Sequence, residues 1–195
     1  IAMRNAKSGN WYAHSVHRTM ANNSAVYDYE GMVPVEVFME EWLSLTKSKS
    51  GERGIFNRRA ALKNSPARRN WTGFKPGCNP CAEILLRPHQ FCNLSMAIAR
   101  EWDTEETLTK KVRIAAYFGK LQSLCTSFNY IRKDWKKNCE EERLLGVDIT
   151  GHADCPLLRY DNAGRKALLR RLYKVVGEVD IGLSRRFGVN RSAAN

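Results

Sequence analysis

Two long stretches of helical periodicity, each preceded by a short β-prone run, constrain this chain more than any other feature. Phe91 to Ala99 reads as a buried strand, Asp103 or Thr104 offers an N-cap, and Leu108, Val112, Ala115, Ala116, Leu121, Leu124 and Phe128 recur along one helical face reaching roughly Phe128. Leu144 to Gly151 is apolar and bounded by glycine, as a second strand would be. A last helix starts at Asp161 or Asn162, carries Leu168, Leu172, Val175, Val176, Val179, Leu183 and Phe187, and stops at Gly188. Strands alternating with helices predict α/β architecture. Cys125 lies on the first helix's stripe, where a thiol packs as a small hydrophobe.

The first third is less regular. Ile1 to Ala6 reads as a strand end, Lys7-Ser8-Gly9-Asn10 as a turn, and Asn22-Asn23-Ser24 as a polar turn leading into the β-prone Ala25-Val26-Tyr27. Pro34 opens a helix whose Val37, Phe38, Trp42 and Leu45 form a core-facing stripe. His14 and His17 have metal-like spacing but no companion ligands, which makes them surface histidines. Arg58, Arg59, Lys63, Arg68, Arg69 and Lys75, interleaved with Phe56, Trp71 and Phe74, form the densest basic and aromatic patch; a solvated face and nucleotide or nucleic-acid contact both fit it.

Composition narrows the class. With 195 residues, 43% of them hydrophobic, the chain can bury a real core, and nothing between residues 1 and 195 looks like a linker, so a single piece is expected. No apolar run reaches membrane-spanning length and the first residues lack a signal-peptide pattern, which points to a cytoplasmic protein with no membrane partner. There the six cysteines read as reduced or redox-active thiols, not as a disulfide framework. A net charge of +12 favours anionic partners without choosing among them.

The chemistry concentrates in Gly77-Cys78-Asn79-Pro80-Cys81-Ala82-Glu83-Ile84 and Phe91-Cys92-Asn93-Leu94-Ser95. Asn-Pro makes a stiff turn that presents Cys81, and an extended backbone would put Glu83 on the same side while Ile84 packs the other way. A thiol beside a carboxylate can do hydrogen-atom, disulfide or acid-base work. Cys78 and Cys81 also have the spacing of a zinc or thioredoxin-like pair, with Cys92 and His89 as the nearest further ligands; this fits a structural zinc domain less well, because the segment reads as a loop entering a strand.

Taken together, Asn79-Pro80-Cys81-Ala82-Glu83-Ile84 and Phe91-Cys92-Asn93-Leu94-Ser95 resemble the active-site region of ribonucleotide reductase large subunits, most closely the adenosylcobalamin-dependent class. Asn22-Asn23-Ser24, Ser50 to Arg58, Lys136-Lys137-Asn138 and Glu141 to Val147 look like further family segments in the family's order, so almost the whole chain is covered. Eleven residues separate Cys81 from Cys92, the family's interval between its radical cysteine and one reducing cysteine.

That resemblance implies part of a ten-stranded α/β barrel with Cys81 on a central finger loop. It implies that Cys81 becomes a thiyl radical, Glu83 is the general base on the ribose 3′ hydroxyl, Asn79 hydrogen-bonds the substrate, and Cys92 is a reducing thiol. The partner of Cys92 would lie upstream of Ile1, since no cysteine precedes Cys78, and a phosphate-holding loop would follow Asn195; the chain is therefore expected to be an internal fragment, inactive alone. Adenosylcobalamin is the implied cofactor, with no resident metal. A ribonucleotide substrate, most like a triphosphate, a thioredoxin-like dithiol and a nucleotide effector are the implied partners, without direct nucleic-acid binding, in the supply of DNA precursors. A diphosphate reductase of the cobalamin or di-metal class is the alternative within the family, and a basic nucleic-acid-binding module or zinc domain the alternative outside it. Cys78 departs from the family pattern.

Overall fold

Asn93–Ile98 (β5) pairs in parallel with Leu145–Thr150 (β6), from Asn93 opposite Leu145 to Ile98 opposite Thr150. This is seen in a computed structural model that describes residues 10–19, 24–28, 31–49, 54–79 and 81–194. The readings made for Ile1 to Gly9, Asn22-Asn23, Ser50 to Arg53 and Pro80 lie outside the described residues. The architecture is mixed helix and strand, with three two-stranded sheets among the described residues. The chain divides into two units: residues 1–65 with 71–88, and residues 66–70 with 89–195.

In the second unit a parallel connection between adjacent strands needs a long crossover, and Glu105–Gln122 (α4) and Lys133–Glu142 (α5) supply it. Ala163–Phe187 (α6) follows β6. α4 begins where a reciprocal cap fixes it: Thr107 N donates to Thr104 Oγ1 at 3.2 Å and Thr104 N donates to Thr107 Oγ1 at 3.0 Å. Leu108, Val112, Ala115 and Ala116 of α4 and Leu168, Leu172, Val176, Val179 and Leu183 of α6 are buried with Ala97 and Leu145 of the strands. Gly119 is required where α4 crosses the sheet, since a Cβ there would lie 2.6 Å from Leu145 Cδ1. Gly151 has φ +82° and closely approaches the Ala99 carbonyl, so a side chain is excluded on both counts.

Helix packing covers one face of this sheet. On the other, Leu94, Met96 and Ile98 are 52, 58 and 45% exposed and lie beside Gly146, Asp148 and Thr150. Alternation along β5 is therefore regular, and it puts three apolar side chains on an uncovered face.

α4 ends earlier than its apolar spacing predicts. Ser123 is buried, its hydroxyl donates to Lys120 O at 2.6 Å, and tight turns follow. Cys125 thus lies beyond the helix and is exposed, which corrects the expectation that it packs. α6 matches its predicted limits: Asn162 accepts from Arg165 N at 2.8 Å, and Gly188 leaves the helix at φ +62°.

A smaller parallel pair belongs to the first unit, Ala25–Tyr27 (β1) beside Ile55–Asn57 (β2), with Val35–Ser48 (α2) in the crossover. Tyr27 and Phe56 are buried on it, and Asn57 caps Arg58–Asn64 (α3) by accepting from Ala60 N. Before these come Trp11–His14 (α1) and a single 3₁₀ turn. Only half of the stripe expected to make α2 a core helix turns inward: Val37 and Leu45 are half-buried with Glu41 and Ser48 buried beside them, while Phe38 and Trp42 stand out at 37 and 53% exposure, where their rings stack. Gly77–Cys78 (β3) and Leu85–Leu86 (β4) form an antiparallel hairpin. No helix among the described residues is long and apolar enough to cross a membrane.

Candidate functional site

The hairpin places three of the four sequence-designated residues on one turn. Cys78 pairs with Leu85, and residues 79–84 form the connection. Asn79 organises it. Its backbone N–H donates to Ile84 O at 3.3 Å and its carbonyl accepts from Ala82 N at 3.0 Å. Its side-chain oxygen accepts from Ile84 N at 3.1 Å, while its amide nitrogen donates to Glu83 Oε1 at 2.5 Å. Asparagine suits this position because one side chain offers both an acceptor and a donor.

Ala82 takes φ +65°, a left-handed conformation that costs a residue with a Cβ about 1 kcal/mol or more. The chain thereby reverses within a few residues, and Cys81 is left exposed at the tip. Asn79 and Glu83 are thus brought into contact, and Cys81 stands on the turn they close. Ile84 is half-buried, as expected of the residue that packs while its neighbours face outward.

Cys92 belongs to the other unit and is half-buried just before β5. Its flanks are fixed on both sides. Phe91 N donates to Cys139 Sγ at 3.3 Å, and Asn93 Nδ2 donates to Leu144 O at 2.9 Å. Gln90 Nε2 donates to Glu142 Oε2 at 2.7 Å and to Asn138 O at 3.3 Å, and Asn138 Nδ2 donates to His89 O at 3.3 Å. Glu142 also receives a bidentate pair from Arg69, at 3.1 Å from Nε and 2.7 Å from Nη2. Both side chains of that pair are 2% exposed, so each charge depends on the other for solvation.

Burial pushes the Cys139 thiol above its ordinary range, only partly offset by the Phe91 N–H and the nearby Arg143, so it stays protonated and packs. Cys92 is half-buried and precedes the first residue of β5, whose outward positions are Leu94, Met96 and Ile98.

Sequence reading missed the Arg69–Glu142–Gln90 network. Arg69 was grouped with the basic patch and Glu142 falls in a charged run; nothing local distinguishes a buried ion pair from a solvated one. The patch itself is not a continuous surface. Arg69 and Phe56 are buried, and Arg58 donates to Pro76 O at 2.9 Å and to Asp28 Oδ2 at 3.2 Å.

A second buried pair was equally hidden. Lys120 Nζ donates to Asp180 Oδ1 at 2.7 Å and to Asn190 O at 3.0 Å, with both charged side chains fully buried. Asp180 also accepts from Ser192 N, which draws the segment after α6 back onto the helices. Burial lowers the Lys120 ammonium below its usual value, and the Asp180 carboxylate opposes that shift.

Among the described residues no group of three His, Cys, Asp or Glu side chains comes together that could hold a metal ion. The zinc reading of Cys78, Cys81, His89 and Cys92 therefore gains no cluster to rest on. No family model, curated protein or solved structure matches this chain.

Proposed function

We propose that this chain carries the thiol centre of a ribonucleotide reductase, with Cys81 as the radical residue, Glu83 as general base and Cys92 as a reducing thiol. The observation that carries the reading is the turn itself: an exposed thiol on a hairpin tip, with a carboxylate two residues on that is oriented by Asn79. The two parallel strand pairs, with that hairpin between them in sequence, agree with a ten-stranded barrel and a central finger loop, which belong to the proposal. The partial exposure of Cys92, one residue before β5, suits a thiol that a partner must reach.

In this mechanism the Cys81 thiyl radical takes the 3′ hydrogen atom of the ribose, and Glu83 accepts the 3′ hydroxyl proton. The 2′ oxygen leaves as water with a proton from the Cys92 pair, whose two thiols supply two electrons and two protons in all and end as a disulfide that a thioredoxin-like dithiol reduces. Glu83 returns its proton to the 3′ oxygen, and Cys81 returns the hydrogen atom to C3′ and regains its radical. Glu83 is suited to its part because a carboxylate held by one amide hydrogen bond keeps its other oxygen free to take a proton.

Asn79 is committed on both sides of its amide, so a contact from it to the substrate hydroxyls would require the Glu83 bond to be exchanged. Adenosylcobalamin, when bound, would supply the initiating radical. The exposure of Cys81 suits a thiol that must be reached from outside the turn, and no residue of this chain is assigned to hold the cofactor. A ribonucleoside triphosphate substrate, a nucleotide effector and a cytoplasmic setting complete the proposal, with the diphosphate enzymes as its variant.

The test is deoxyribonucleotide formation by the full-length gene product from each ribonucleoside di- and triphosphate, with adenosylcobalamin and a dithiol. Cys81→Ser is expected to abolish turnover, and Glu83→Gln to lower it by about 10²–10⁴-fold. Undiminished product from Cys81→Ser would sink the reading.

A further inference from the structure

The second unit carries an array of aromatic rings outside its buried apolar core. Phe91 and Trp135 lie with ring centroids 4.4 Å apart, Phe128 stands edge-on to Phe91 at 5.4 Å, and His89 is 5.7 Å from Trp135. Arg132 Nη1 is 3.5 Å from His89 Nε2, which extends the array to a guanidinium.

These groups are partly open to solvent. Phe91 is 45% exposed, and the turn before α5 holds out Tyr130 at 100% and Ile131 at 42%. A tyrosine on a rigid body with its entire side chain in water gains nothing from the fold, since its apolar ring is neither packed nor screened.

Charge surrounds the rings. Arg132, Lys133, Lys136 and Lys137 are all exposed and fall within six residues, against one acid, Asp134, in the same stretch. Lys136 reaches Glu140 only at 4.0 Å, a weak surface pair. These cations sit on the first two turns of α5, where the helix dipole adds positive potential. The array is held stiffly from beneath, because Asn138 and Cys139 of the same helix are buried and bonded to the backbone of His89 and Phe91.

A fully exposed Tyr130 ring, a partly exposed Phe91 ring and a run of exposed cations match one ligand chemistry: planar bases joined by regularly spaced phosphates. Bases stack on the rings whatever their sequence, while phosphates displace counterions from the lysines. A duplex fits less well, because its bases are already stacked on one another and closed to the rings.

We propose that the Phe91–Tyr130–Trp135 surface, with Arg132, Lys133, Lys136 and Lys137, binds single-stranded nucleic acid. The surface is built from residues of the second unit alone, and the binding test below reads no turnover, so its outcome is distinguishable from that of the ribonucleotide reading.

The test is fluorescence anisotropy of a labelled fifteen-nucleotide oligothymidylate titrated with the full chain, repeated with oligouridylate and with a duplex of equal length. Binding is expected at low salt and should weaken about tenfold or more between 50 and 200 mM salt, as three or so phosphate contacts require. Tyr130→Ala should weaken it about tenfold while Tyr130→Phe retains it, because the ring and not the hydroxyl does the stacking. Reversing Lys133, Lys136 and Lys137 to Glu together should remove it. These are surface positions, and circular dichroism checks that each variant is folded. Absence of binding at low salt, equal binding of the duplex, or binding indifferent to both Tyr130→Ala and the triple reversal would overturn the proposal.

Discussion

The parallel pair β5–β6 is backed by two long helices whose buried faces meet over Ala97 and Leu145, whereas the hairpin β3–β4 has two residues per strand and none fully buried. The first arrangement is held by apolar contact area and by two buried ion pairs. The second is held by a two-residue strand pairing together with the hydrogen bonds of Asn79. A packed strand fixes its residues to within the tolerance of a core, so Cys92 sits where β5 leaves it. A hydrogen-bonded turn fixes only its local shape, and Cys81 can respond to whatever approaches it. In the proposed reaction, a centre that receives a radical and delivers electrons to the same sugar would benefit from one thiol of each kind.

Five substitutions probe that contrast. Asp180→Ala leaves the Lys120 ammonium buried without its carboxylate and should cost the β5–β6 unit about 3–5 kcal/mol, read by urea denaturation. Amide exchange in the hairpin should not follow it, and parallel loss in both regions would show that the two share their stability. Gly151→Ala, at φ +82° and against the Ala99 carbonyl, should cost about 1–3 kcal/mol in strain before the collision is added. Thr104→Ala removes a helix cap worth about 1 kcal/mol, visible as a lowered melting temperature.

The acid side of that cap supplies a pH test. Burial acts to raise the Asp103 carboxyl, but bonds from Lys111 Nζ at 2.6 Å, Thr107 Oγ1 at 2.8 Å and Arg100 N at 2.7 Å outweigh it and hold the group below its usual 3.8. A depressed carboxyl contributes stability above its unfolded value and loses it as pH falls through the folded one. The stability gap between wild type and Asp103→Asn should therefore be level above about pH 5 and close below about pH 4. A gap that widens in acid would contradict the assignment.

Asn79→Ala carries the smallest effect. Global stability should change by about 1 kcal/mol or less, since the lost bonds are partly solvated, while the Ile84 amide should exchange much faster. If unfolding shifts as far as in Asp180→Ala, the hairpin is a packed element after all.

Sequence periodicity located β5, β6 and α6 because each has a regular apolar face and a recognisable cap or stop. It overran α4 because Leu121, Leu124 and Phe128 keep the spacing, while the end is set by a buried serine hydroxyl that no periodicity encodes. It misjudged α2 because Phe38 and Trp42 look like core residues, yet Glu41 takes the inward position. The turn at Cys81 was legible from Asn-Pro and the nearby carboxylate, and its left-handed Ala82 was not, since alanine gives no sign of a positive φ. The ion pairs of Glu142 and Asp180 were invisible for a different reason: their partners lie 73 and 60 residues away, and a charged residue looks the same in sequence whether wet or dry.

The alternation along β5 also limits which changes in length this gene can tolerate. Side chains on a strand have only two directions, so inserting one codon within β5 would exchange the open face and the helix-covered face for every residue beyond it, driving Met96 and Ile98 inward and Ala97 outward. Two codons would restore the directions and merely displace the side chains along the strand. Parity, more than the identity of any one residue, sets which changes in length this strand can absorb.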